Sequence, residues 1–278
     1  MNEETNFIID TMTWSFSRLN SFDNCQREWY LHYIEEDGEV LPSFYAEYGS
    51  FNHEILEKYA KGELSLFDLC DYYEQHYFET VVTKAPYNKY SDIGQKYYDK
   101  GMEYYENIDL DLDNYEILGV EKEIKFEIGG YQIVGYIDLL LRDKQTGEIT
   151  ILDHKSATIK ILKSGKVSKT DQSHFEEFKR QLYMYAVPIL EEYGRVDYLE
   201  WNLFKDQNHI KIPFNNVEFE ETKKWVVDTI EHIKDEVLWL PKDKCDYYCN
   251  NLCGCRDRCE VSNYRDDSYF NPEEFDYE

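Results

Sequence analysis

The chain has 278 residues, enough for one large domain or two modest ones, and its 42% hydrophobic content supports a real core. Its formal net charge of −27 argues against the general basic footprint of a phosphate-binding surface. No apolar run approaches membrane-spanning length, and the first residues lack the basic start of a secretory leader, so a cytoplasmic protein with no membrane contact is expected.

In chain order, Ser15 or Ser17 caps a predicted helix running to about Ile34, with Leu19, Phe22, Tyr30 and Tyr33 on its apolar face and Cys25 in its middle. Asp37-Gly38 and Pro42 break it. A second helix is predicted over 46–60, carrying His53, Leu56 and Ala60 on one side and Glu57 one turn beyond His53. Two further helices, near 66–81 and 92–107, read as scaffold. Strands follow over 115–128 and 131–142 around Gly129-Gly130, a strong two-residue hairpin signal. A third strand spans 148–154. A polar, lysine-bearing loop (156–173) leads to a helix over 175–193, stopped by Gly194. Two strands (196–204 and 209–214), a long helix (219–240) and a cysteine-rich segment complete the pattern. With no internal repeat or clear linker, the order fits one α/β domain over 1–259. Its parts are helices over about 15–110, a sheet core over about 115–240 and a cysteine segment at 245–259, with an acidic tail at 260–278.

The sharpest constellation is Asp138, Asp153 and Lys155. Apolar residues surround both carboxylates: Leu139, Leu140 and Leu141 on one side, Ile149, Ile151 and Leu152 on the other. The Asp143 to Glu148 connection reads as a hairpin turn. Centred between Gln145 and Thr146, it pairs position 138 with position 153. Two facing carboxylates repel, and a divalent cation between them removes that cost. Asp153 and Lys155 share one strand face, so the lysine can orient a water or meet developing negative charge. Surface strand charges, with Lys155 merely pairing to Asp153, are the plain alternative.

His53 can complete a metal shell with Glu57 as an orienting partner, or be a partly buried histidine without a ligand role. Gln181 and Tyr185, four apart with Arg180 beside them, can contact DNA phosphates or position the lysine, or form an ordinary helix surface. Cys245, Cys249, Cys253, Cys255 and Cys259 crowd into fifteen residues and read as thiolate ligands. Tetrahedral Zn²⁺ could be satisfied within that segment, whereas an iron–sulfur cluster could recruit Cys25 from the first helix. Cys70 reads as an inert core thiol. Charge is uneven as well: from Lys155 to Lys169 there are five lysines and no acid, a local patch that a polyanion could approach.

The ordered set Cys25, Gly49-x3-His53, Gly135-x2-Asp138, Asp153-x-Lys155, Gln181-x3-Tyr185 and the final cysteines resembles the PD-(D/E)XK nuclease superfamily. It is most similar to the RecB/AddB-type branch that includes CRISPR-associated four-cysteine nucleases and many phage exonucleases. The resemblance runs over 15–259, opening on Ser15-x-Ser17-x-Leu19. It implies a restriction-endonuclease-like mixed central sheet flanked by helices, with a helical insertion. It also implies Mg²⁺ or Mn²⁺ held by His53, Asp138, Asp153 and the main-chain carbonyl of His154, with Lys155 catalytic and Gln181 and Tyr185 serving DNA contact and site architecture.

A [4Fe–4S] cluster is further implied, on Cys25, Cys249, Cys253 and Cys259. The usual C-x2-C-x5-C is absent here, and the Cys245, Cys249, Cys255 spacing matches that of Cys249, Cys253, Cys259. The latter set is preferred because Arg256-Asp257-Arg258-Cys259 resembles the residues before the family's last ligand. Cys245 and Cys255 are alternates.

The expectation is a metal-dependent DNA nuclease, an exonuclease on single-stranded or end-containing DNA in recombination, repair or phage DNA processing. Its acidity suggests a helicase or other recombination partner. The rivals are a non-catalytic acidic module that binds protein or mimics DNA, with a zinc-bound tail, and an RNA-cutting or structure-specific endonuclease of the same fold.

Overall fold

The computed structural model describes residues 3–35, 40–164, 166–243 and 246–264. The predicted break at 37–38, Cys245 and the tail beyond 264 lie outside the described residues. The helical part comprises α1 (Glu3–Asp10), α2 (Phe16–Asn24), α3 (Gln26–Tyr33), α4 (Phe44–Ala60), α5 (Leu69–Thr80) and α6 (Ile93–Glu106). Then come β1 (Tyr115–Ile128), β2 (Tyr131–Asp143), β3 (Ile149–His154), α7 (Gln172–Tyr193), β4 (Tyr198–Leu203), β5 (Asn208–Pro213), α8 (Asn216–Asp235) and α9 (Asp246–Asn251).

The five strands form one mixed sheet in the order β1-β2-β3-β4-β5. Every neighbouring pair is antiparallel except β3 and β4, which run parallel because α7 carries the chain back between them. Gly129 and Gly130 both take positive φ (61° and 89°), the backbone that a tight two-residue hairpin requires. Leu139 pairs with Leu152 and Leu140 with Ile151, so the same register carries Asp138 opposite Asp153 just past the last paired residues.

Two apolar cores sandwich the sheet. The first packs α2, α3, α7 and α8 against Ile133, Ile137, Leu140, Ile149 and Ile151. The second joins α4, α5 and α6 to Leu139, Leu141 and Leu152, and is largely aromatic, with Tyr48, Tyr73, Tyr77, Tyr104 and Tyr105 all buried. Ile137 and Leu139 are two apart on one strand yet belong to different cores. Strand alternation is therefore interrupted across Asp138. The adjacent β1 residue, Glu121, has φ 47°, a left-handed conformation that a glutamate rarely adopts.

Three elements differ from the sequence expectation. Helix α1 was not anticipated; its buried residues are Thr5 and Ile9 alone, too few to leave a periodic signal. The single helix predicted from Ser15 is two. Cys25 is extended (φ −162°, ψ 106°), closing α2 through its N–H and opening α3 by accepting the Glu28 N–H on its sulfur. Helix α8 stops at Asp235 rather than near 240, because Glu236 turns extended and its carboxylate accepts the Val237 and Leu238 N–H groups.

Candidate active site

The fold brings Asp138 of β2, Asp153 of β3, Lys155 just beyond it and His53 of α4 to one place. Asp138 and Asp153 are only 9% and 3% exposed, a costly position for two carboxylates. The Asp138 Oδ2 accepts the His154 N–H at 2.6 Å and lies 3.5 Å from His53 Nδ1. Burial pushes the Asp138 carboxyl up, the Asp153 charge adds to that, and Lys155 and the His154 N–H pull it back. Lys155 Nζ stands 2.7 Å from Asp153 Oδ2 as an ion pair, and that buried oxygen has no hydrogen-bond partner among the described residues.

Each neighbour of the pair is itself held. Lys155 Nζ donates to Gln181 Oε1 at 2.8 Å and sits 5.3 Å from the centre of the Phe178 ring. Gln181 and Phe178 are both on α7, so that helix aims the lysine. The Tyr185 hydroxyl reaches the Gln181 side chain and the Tyr136 backbone. Its ring covers Gly135, where a Cβ would meet ring carbons at 2.5 and 2.9 Å. The glycine three residues before Asp138 therefore makes room for the tyrosine four residues after Gln181. Arg180 turns away instead, 3.5 Å from Asp23 and stacked at 5.0 Å on Trp225.

The His154 ring faces the interior. Its Nδ1 accepts from Asn202 Nδ2 at 3.0 Å, and that amide also donates to the Tyr104 hydroxyl at 2.8 Å. Burial holds this imidazole well below its ordinary range, and holds His53 below it as well, so both are neutral near pH 7. The turned-in ring leaves the His154 backbone as the part of this residue able to face the carboxylates.

Glu121 was not among the residues singled out from the sequence. It lies opposite Asp138 on β1, between the pairs Val120–Leu139 and Lys122–Ile137. Counting back from the Gly129-Gly130 turn, as was done for Asp153 from the next turn, would have found it. His53, Glu121 and Asp138 bring three potential ligand atoms within 4.8 Å of one another, the single such group among the described residues. Burial and the Asp138 charge push the Glu121 carboxyl up to about 7. Glu57 pairs with Lys61 rather than with His53, and both Glu57 and His53 line an open concavity of about 510 Å³ with Gly49, Glu121 and Ser156.

Clustered oxygens, a neutral imidazole and an unbonded buried carboxylate oxygen suit a hard divalent cation. His53, Glu121 and Asp138 are the residues whose ligand atoms come together to suit it, with Asp153 opposite Asp138 in the register.

The cysteines gather where α2 and α3 meet the C-terminal segment. Cys25 Sγ accepts backbone N–H groups from Glu28 (3.5 Å) and Lys242 (3.4 Å). Cys253 and Cys255 are both buried, and Arg258 donates to Cys255 at 3.5 Å. Cys259 lies close enough to Cys25 for their charges to interact. Cys249 is half-buried near the start of the same segment, in α9, and Cys70 is half-buried against the aromatic core. No disulfide joins any of these six, and no three of their sulfurs come within 4.8 Å.

The sequence profile of the PD-(D/E)XK nuclease superfamily matches residues 13–260 of the chain. Among solved structures, the crystal structure of a candidate exonuclease from Eubacterium rectale is similar over 92% of both chains, with 13% identity and a TM-score of 0.50. That likeness extends to the fold. No curated protein matches. The profile spans the helical part, the sheet and the cysteine segment together, and the chain belongs to the PD-(D/E)XK nuclease superfamily.

Proposed function

We propose that this nuclease is a DNA exonuclease dependent on Mg²⁺ or Mn²⁺, acting on single-stranded or end-containing DNA in recombination, repair or phage DNA processing. The observation that carries the metal-dependent reading is the buried Asp138–Asp153 pair, which faces His53 and Glu121 and has Lys155 held beside it by Gln181. A bound divalent ion supplies hydroxide near neutral pH and shields the scissile phosphate. His53, Asp138, Asp153 and the His154 carbonyl would hold it, with Glu121 completing the carboxylate side. Lys155 orients the attacking water and meets the negative charge that develops on the phosphate. Gln181 and Tyr185 keep the lysine in place.

The exonuclease assignment draws on the description of the E. rectale protein and on the RecB/AddB-type motif order. The same order supports a [4Fe–4S] cluster on Cys25, Cys249, Cys253 and Cys259, with Cys255 an alternate. The two N–H···S bonds at Cys25 suit a thiolate ligand, since they offset negative charge on sulfur.

Linear DNA labelled at the 5′ or the 3′ end should be shortened progressively by the anaerobic protein with Mn²⁺, while covalently closed circles stay intact. Cutting of both at equal rates would make it an endonuclease. Cutting of neither would favour an acidic DNA mimic.

A further inference from the structure

Between the catalytic lysine and α7 the chain builds an arm that the active site does not use. Ile161 and Val167 form an antiparallel bridge, the Leu162 N–H donates to the Lys166 carbonyl, and the Ser168 N–H donates to the Lys160 carbonyl, both at 2.8 Å. The arm is fastened at its base. Ile159 is buried, Ile161 and Val167 pack on the larger core, and Asp171 Oδ2 accepts both the Lys160 N–H (2.8 Å) and the Ser168 hydroxyl (3.0 Å). This small hairpin carries Lys160, Lys163, Lys166 and Lys169, all exposed.

Elsewhere many lysines are ion-paired, although some, such as Lys96 and Lys224, have no such pair among the described residues. Lys58, Lys61, Lys100, Lys122 and Lys179 each lie within 4.0 Å of a carboxylate. None of the four arm lysines has such a pair among the described residues, and no acid lies between Lys155 and Lys169. In a chain of net charge −27, this leaves a compact cationic feature attached to the residue that performs the chemistry. Charges beyond a Debye length of roughly 8 Å are largely screened at physiological salt, so a polyanion near the arm meets its local charges, the four lysines and the single Asp171 at their base.

We infer that the 160–169 arm is the track on which the phosphate backbone of the nucleic-acid substrate lies as it enters the active site, read without regard to base sequence. The inference rests on the nuclease reading for the identity of its ligand. The fastened base keeps the four lysines together on one hairpin, and the net charge of −27 over the whole chain disfavours other approaches. Flexible lysines bind phosphates as point charges, which suits a strand that must slide.

The test compares the unaltered chain with the combined variant K160A/K163A/K166A/K169A, checked for fold by its melting temperature. DNA binding is measured by fluorescence anisotropy with Ca²⁺ over a series of salt concentrations. Removing four phosphate contacts should lower the slope of log K against log salt by about 3 and weaken binding about tenfold or more at low salt. Hydrolysis of thymidine 5′-p-nitrophenyl phosphate with Mn²⁺, too small to touch the arm, should be unchanged, and a variant with arginine at all four positions should recover the slope. Equal slopes and affinities for the alanine variant and the unaltered chain would overturn the inference. Absence of hydrolysis by the unaltered chain would overturn the nuclease reading instead, with the salt slope still judging the arm.

Discussion

Lys155→Ala lowers DNA cleavage about a thousandfold at saturating Mn²⁺ while the protein stays folded. The size follows from how the lysine is held. Asp153, Gln181 and the Phe178 ring fix its ammonium from three sides, so its position is set before substrate arrives. Alanine removes the donor but no part of either core, because the side chain packs at the margin of the sheet, 21% exposed. Lys155→Arg should rescue little, since a planar guanidinium cannot occupy the compact station between Asp153 and Gln181. Single-turnover rates on labelled DNA, read beside the melting temperature, check the point. Cleavage by Lys155→Ala at the unaltered rate would remove this residue from the chemistry.

On the proposed cluster assignment, Cys25→Ser should abolish iron binding and loosen the C-terminal segment. The anaerobically purified chain is expected to be brown with about four irons per chain, and the variant colourless. Cys25 sits where two helices break, and its sulfur takes the Lys242 N–H from the far end of the chain. Other ties across this junction persist without it: Arg27 N–H to Leu240 carbonyl at 3.2 Å, and Arg256 to the Pro42 carbonyl at 2.7 Å. The loss is therefore local. A deficit of about 3 kcal/mol corresponds to a fall of about 6–12 °C in a chain of this size. Limited proteolysis should cut first within 246–264, leaving the sheet intact. Full iron in the variant, or one zinc in the unaltered chain, would contradict the cluster assignment.

Both hairpins were legible because their turns are: Gly129-Gly130 and the Asp143–Glu148 connection set the register that puts Asp138 opposite Asp153. The helices were legible from apolar spacing and from the cap at Ser15, which accepts the Arg18 N–H. What stayed hidden depends on the third dimension. Glu121 looks like one charge among several on β1 until the register places it beside Asp138. Asn202 and Tyr104 are 98 residues apart, and only folding joins them behind His154. The break at Cys25 was missed because apolar spacing continues through it. A sulfur that caps one helix and takes a bond from Lys242 leaves no trace in periodicity.

The central claim is that two buried carboxylates repel each other until a divalent ion joins them, and stability without metal tests it most directly. With its carboxyl raised in the folded state, Asp138 contributes stability that is fully present below the unfolded carboxyl value of about 3.9 and is lost as pH rises through the folded one. Asp138→Asn removes this dependence together with the charge that faces Asp153. Thermal melts of both chains from about pH 5 to about pH 9, with and without Mn²⁺, give the answer. The Asn variant should melt above the unaltered chain at the alkaline end without metal. Mn²⁺ at a hundredfold its Kd should stabilise the unaltered chain by about 2.7 kcal/mol and leave the variant nearly unchanged. A metal-free variant that melts lower at every pH, or equal stabilisation of both chains by Mn²⁺, would contradict the account.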